Sequence, residues 1–365
     1  MRSTRVHLNL RHPASLSGLA ACMLIAAAAA QAHTFCVGDA AALQTALTAA
    51  SDSGANDNEN NTIRVVVGTH YSANNNNSEF LYNNQTTARI LDINGGYNSD
   101  CSAIFENPAL TILDGGGATR VFESESASGD VSLRFLTFQN GSVGTHQEGG
   151  GVLMNGSSGS NGSVIFDQNI VRNNHTVFLG GGFSIYTAGN GTIQFENNLI
   201  VGNSAQLGIG GGDIVDFGNG ANIINNTFAQ NTVALSPPTE AGGLLFSGTP
   251  ATSPQANTMS NNILWGNSSP DLVTVAVLVD NDVKSSSETP DPASIGNVSV
   301  DPQFSSPTDY HLSPTSPLLG TGTLTPTGGL PNVDIEGHSR KSLDNKVDMG
   351  AYERGDEIFK DGYED

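Results

Sequence analysis

The residues of this 365-residue chain best suited to chemistry are carboxylates that recur at matched places in a repeat. Asp167 and Glu196 each stand two residues ahead of an asparagine that opens a repeated phrase, NIVRNN at 169–174 and NLIVGN at 198–203. A retaining glycosidase needs two carboxyl groups about 5 Å apart, and an inverting one needs them farther apart. Strands stacked roughly 4.8 Å apart would bring these two acids near the shorter distance, both pointing outward. The same pattern also describes ordinary acids on a solvated strand, mildly repelling or sharing a cation. The column continues with Ile224 and Ser260, which extend no acidic site.

Asp213 and Asp216 form a second candidate site. Asp213 falls where sibling units have Val152, Phe183 and Leu244. Either a carboxylate points into the core, which is costly and makes it titrate upward, or the register slips by one residue and buries Ile214 instead. Asp216 lies on the opposite phase or next to it, depending on which holds. Polyuronate elimination would need a calcium-binding acidic cluster and a basic group. Between residues 121 and 280 the only Lys or Arg side chains are Arg134 and Arg172, with His146 and His175 nearby. A negative surface would repel that substrate unless calcium bridged it. Calcium therefore stays open as a ligand, and no other cofactor is expected. Zinc clusters, nucleophile elbows and phosphate loops are missing, and DND at 280–282 lacks the rest of a calcium loop.

The elements that must position these acids are short strands. GGGVLM at 149–154 returns as GGGFSIY at 180–186, GGGDIVDF at 210–217 and AGGLLF at 241–246. NTFAQN at 226–231 and NILWGN at 262–267 repeat the asparagine phrase. Apolar columns run through the units: Phe166, Phe195, Ile223 and Met259; Val171, Ile200, Phe228 and Leu264; Met154, Ile185, Val215 and Phe246. Alternation over so few residues indicates strands, and the Asn and Gly between them indicate turns. Such a unit cannot bury its apolar face alone, whereas a stack of them can. The expectation is an all-β fold, a right-handed parallel β-helix with three short strands per coil. Asn174, Asn203, Asn231 and Asn267 should then form an amide ladder. TIRVVVG (62–68), ARILDINGGY (88–97), LTILDGGG (110–117) and LRFLTFQNG (133–141) read as earlier strands. Ahead of them, Asp39 caps a helix with Leu43 and Leu47 on one face, suited to covering the open end of the stack.

Residues 1–32 carry three arginines, an apolar run and the Ala30-Gln31-Ala32 triplet, so a signal peptide cleaved between Ala32 and His33 is expected. A lipobox-like LAAC at 19–22 is the rival reading. Cys36 and Cys101 remain, and an oxidising compartment favours their pairing over two buried free thiols. The formal charge of −21 disfavours nucleic acid and anionic membranes as partners. No later segment is apolar enough to span a bilayer.

The Cys36 start, GGYNSDC (95–101), TILDGGG and NNLIVGNSAQLGIGGG (197–212) resemble bacterial secreted right-handed parallel β-helix repeat proteins of the pectate-lyase-like superfamily. VDPQF (300–304), DYHLSPTSPLLGTG (309–322), DIEGHSR (334–340) and VDMGAYE (347–353) resemble the choice-of-anchor Q domain that closes many such chains. The resemblance implies secretion or surface attachment in a Gram-negative bacterium and no particular reaction. It divides the chain into a leader (1–32), a β-helix (33–283), and a linker with a C-terminal cap or anchoring region (284–365). β-Helices host both enzymes and adhesins. The expected role is adhesive, structural or glycan-binding, with a neutral polysaccharide or envelope component as partner. The alternative is a polysaccharide hydrolase, or less so a lyase, using the outward carboxylates.

Overall fold

The computed structural model describes residues 32–155, 160–235, 240–248, 257–288 and 291–354. The expected leader lies outside these residues except for Ala32, so the cleavage site falls at their edge, where the strand Ala32–Val37 begins. The chain winds as a parallel β-helix. One coil runs through Val164–Asp167, Ile170–Arg172, His175–Thr176 and Phe183–Ala188, then returns at Ile193–Glu196 beside its own start. Coils stack into sheets of nine, eight and seven strands, plus a four-stranded sheet of two-residue strands that adds a fourth side to the expected three. Pairing across these four sheets is parallel throughout.

The apolar columns are the core. Phe166 pairs with Phe195, Phe195 with Ile223, and Ile223 with Met259; Val171, Ile200, Phe228 and Leu264 pair likewise, all fully buried. Phenylalanine rings stack up the interior, Phe166 on Phe195 at 5.2 Å between centroids. The third column needs one correction. Ile214, not Val215, continues Met154 and Ile185 toward Phe246. Gly212 takes the inward place between Phe183 and Leu244, where a Cβ would lie 2.4 Å from the Phe183 ring. The register slips because that ring fills the volume a side chain would need.

The glycine phrase is architecture. A Cβ on Gly181 would stand 2.3 Å from the Gly210 carbonyl oxygen of the next coil, so only glycine permits this approach. Asp39 accepts from the Ala42 N–H at 2.8 Å and caps the helix Ala40–Ala50, whose Leu43 and Leu47 join the main core. Cys36 and Cys101 form a disulfide.

Two C-terminal expectations change. The segment 284–296, read as a linker, takes part in the winding: among the described residues, parallel bridges join Ser286 to Leu272 and Ile295 to Val279, followed by Val298 to Asp282. The region after it is a strap laid along the flank of the rod, rather than a lid over the last coil. Its antiparallel pair, Phe304–Ser306 with Asp309–Leu312, brings Tyr310 beside Ile335 and Ala351 against the outward residues Ile170, Leu199, Val201 and Ala229. Farther along, Leu312, Leu318 and Met349 cover Ile263. Outward apolar residues on the eight-stranded sheet are thereby buried.

Candidate functional site

Asp167 and Glu196 are brought together as expected, directly paired across neighbouring coils on the outer side of the nine-stranded sheet. Arg134 occupies the coil before them, its Nε 3.6 Å from Asp167 Oδ2. Asn197 turns the chain after Glu196 with φ of 54° and donates to Asp167 Oδ1 at 3.1 Å. Its own Oδ1 accepts from the fully buried Arg340 of the strap at 2.6 and 3.0 Å. Burial, followed by the neighbouring Asp167 charge, pushes Glu196 up to about 8. Burial also raises Asp167, against the pull of Asn197 and the two arginines. The two acids stand side by side with both carboxyls raised by burial, beside a wall formed by the strap.

Asp213 and Asp216 are not one site. Asp213 shares its column with Leu153, Ser184 and Leu245 on the outer side of the seven-stranded sheet. It is nevertheless fully buried, accepting from Ser184 Oγ at 2.5 Å and contacting the Tyr186 hydroxyl at 2.8 Å. Burial lifts it to about 7. Asp216 faces the opposite way, where it accepts from Thr187 Oγ1 and the Gly218 N–H, both at 2.8 Å, and fastens a corner. Among the described residues, no group of three or more His, Cys, Asp or Glu is placed to hold a metal ion.

The asparagines do form a ladder. Asn174 donates to Asn203 at 3.0 Å, Asn203 to Asn231 at 3.0 Å and Asn231 to Asn267 at 2.9 Å, and Asp271 accepts from the last. A parallel ladder joins Asn198, Asn226, Asn262, Asn281 and Asn297, with amide-to-amide bonds of 2.9–3.0 Å. Its signal was the first asparagine of the same phrases. A third amide column was missed: Gln168, Asn197, Asn225 and Asn261 all adopt positive φ and bond the strap. Gln168 donates to the Asp334 carbonyl, Asn225 to that of Asp348 and Asn261 to that of Thr323. A turn asparagine with two unspent amide groups looks the same in sequence whether water or a strap takes them.

The strap also makes a groove that the sequence did not announce. A cavity of about 410 Å³ lies between it and the eight-stranded sheet. Ile170, Leu199 and Val201 line one wall, Tyr310 and Tyr352 the other, with Arg172, Asn173, Gln230, Thr308 and Asp309 around it. His311 stacks on Tyr352 at 3.9 Å and bonds Asp309 at 2.5 Å and Glu336 at 3.1 Å. These bonds, that to Glu336 foremost, raise His311 to about 9 and hold the ring as an imidazolium. No family model, curated protein or solved structure was found to match the chain.

Proposed function

We propose that the chain is an exported, surface-exposed rod that binds a neutral glycan in the groove between strap and β-helix. The groove itself carries this reading. Its volume is in the range of small-ligand sites, which are apolar with a few placed polar groups. A sugar ring presents an apolar C–H face and a rim of hydroxyls. Tyrosine offers a flat apolar body with a polar tip, and amides pair with hydroxyls without demanding charge. Arg172 and Asp309 contribute one formal charge of each sign, so the lining favours neither acidic nor basic sugars. The disulfide fits an oxidising compartment, and no helix among the described residues is long and apolar enough to cross a membrane. Attachment to a Gram-negative envelope, as in the anchor-bearing proteins the C-terminus resembles, completes the proposal.

Affinity electrophoresis on neutral and acidic polysaccharides tests it. Retardation by a neutral polymer is expected, and Arg172→Ala with Gln230→Ala should weaken it about tenfold, or 1.4 kcal/mol. Retention only on acidic polymers, or unaffected by these changes, would overturn the groove assignment.

One observation favours hydrolysis as a second reading, namely that Glu196 and Asp167 pair on neighbouring coils, with burial raising Glu196 to about 8. A hydrolase would release new reducing ends from one of these polymers and stop doing so as Glu196→Gln.

A further inference from the structure

On the seven-stranded face, four polar groups sit in a chain whose hydrogens can be counted. Ser184 Oγ lies 2.5 Å from Asp213 Oδ1, Tyr186 OH 2.8 Å from Asp213 Oδ2, and the same Tyr186 OH 2.7 Å from Glu148 Oε2. Three contacts need three hydrogens, and the two hydroxyls supply two. The single phenol hydrogen cannot point along both lines, and the carboxylate it leaves would face an oxygen lone pair. The third hydrogen must come from a carboxyl group. Asp213 is the one to carry it: it is fully buried, while Glu148 is only half-buried and can be solvated.

We propose that Asp213, Tyr186 and Glu148 share a bound proton that holds the Glu148 side chain and the exposed turn 144–147 against this face, and that losing the proton frees them. With the proton in place, Ser184 donates to Asp213, Asp213 to the phenol oxygen, and the phenol to the Glu148 carboxylate. Without it, two carboxylates compete for one phenol hydrogen in a poorly solvated place, and only Glu148 can leave. The position of Asp213 near neutrality places the change in the physiological range.

Among the described residues the surroundings offer no other neutralising charge. On the strand Phe183–Ala188 the groups facing Asp213 are Ser184 and Tyr186. The strand Leu244–Gly248 presents Leu245 there. The strand Phe122–Ser126 brings Glu123 and Glu125, and Glu123 is paired with Arg120. Arg120 is otherwise occupied by the carbonyls of Glu148 and Gly149. Those two bonds, with the one from Thr176 Oγ1 to the carbonyl of Gln147 at the last residue of the turn, hold the backbone from that carbonyl onward. Release is therefore confined to the Glu148 side chain and residues 144–147.

Hydrogen exchange of residues 144–148 tests this, each wild-type rate being divided by that of Asp213→Asn at the same pH so that the chemical exchange rate cancels. An amide at 213 can accept from Ser184 and donate to Tyr186 at every pH, so the variant is locked. The ratio should be near one at pH 5.5 and rise about tenfold by pH 8.5, the equivalent of one unit of proton linkage. Glu148→Gln removes the second charge and should likewise show no pH-dependent loosening, which keeps the test available if the first variant folds poorly. A ratio flat with pH, or a Glu148→Gln protein loosening as the wild type does, would overturn the proposal.

Discussion

Asn203 illustrates how much one amide carries in this fold. Its Oδ1 accepts from the backbone and side-chain nitrogens of Asn174, and its Nδ2 donates to the Val171 carbonyl and to Asn231. All of these groups are buried, so Asn203→Ala would strand two donors and a carbonyl with no water to replace the partner. Each stranded buried group costs about 1–3 kcal/mol, and the variant should lose roughly 3–5 kcal/mol in a denaturant titration. An exposed polar residue of the same coil, Gln206, should change stability by less than about 0.5 kcal/mol as Ala. A comparable loss at both positions would argue against the ladder as a stabilising device. The ladder was readable because both asparagines recur at a fixed place in every unit. The Asp213 chain was only half readable. The sequence raised the choice between an acid pointing into the core and a slipped register; the register slips, and Asp213 is buried on the outer side of its sheet, bonded to Ser184 and Tyr186.

The strap is held by charge as well as by apolar contact, which makes it sensitive to pH at both ends. His311 is lifted from its ordinary 6.5 to about 9 by Glu336 and Asp309. Its folded value lies above the unfolded one, so its contribution is complete below about 6.5 and is lost as pH rises through about 9. Glu336 and Asp309 are held below their ordinary values, chiefly by hydrogen bonds from His311. Their contribution is present above the ordinary carboxylate range and is lost as pH falls through the lowered values. Proteolysis within residues 304–354 should therefore be slowest near neutrality and faster at pH 10, and His311→Gln should abolish the alkaline change. Arg340 is the second fastening. Fully buried, it bonds Asn197 Oδ1 and the Ala351 carbonyl, with Glu353 3.6 Å away. Arg340→Met would leave Glu353 and the Asn197 oxygen without their partner, and a loss of about 3–5 kcal/mol is expected in thermal or chemical unfolding. Cutting of the strap at neutral pH is expected alongside it.

At the scale of the molecule, each coil touches mainly its neighbours, so stability accumulates along the stack and the ends need separate treatment. The capping helix closes one end, and the disulfide ties the first strand to the turn after the third coil strand of the nine-stranded sheet, across 65 residues of chain. A crosslink over a loop of that length stabilises by about 4 kcal/mol in the chain-entropy account. Cys36→Ser with Cys101→Ser should lower stability by roughly that amount. Hydrogen exchange should loosen first in residues 32–101 while the coils from 164 to 267 stay protected. Uniform loosening along the whole rod would show that the coils unfold as one unit instead.

The capping helix was legible from its own residues and the cysteine pair from the expected oxidising compartment, whereas the repeat by itself determined the winding, the identity of most core columns and the asparagine ladder. These depend on local alternation and on identical units lying beside one another, and periodicity in the chain carries that information directly. Only the tertiary structure decided where Ile214 faces, what Asp213 bonds and where the C-terminal region lies. Gly212 yields to a ring from the preceding coil, Asp213 meets Tyr186 of the neighbouring strand, which itself reaches Glu148 of a distant loop, and Arg340 reaches Asn197 across 143 residues. A period in the sequence records which positions stack, but not which side chain fills the shared volume there or which distant segment reaches it.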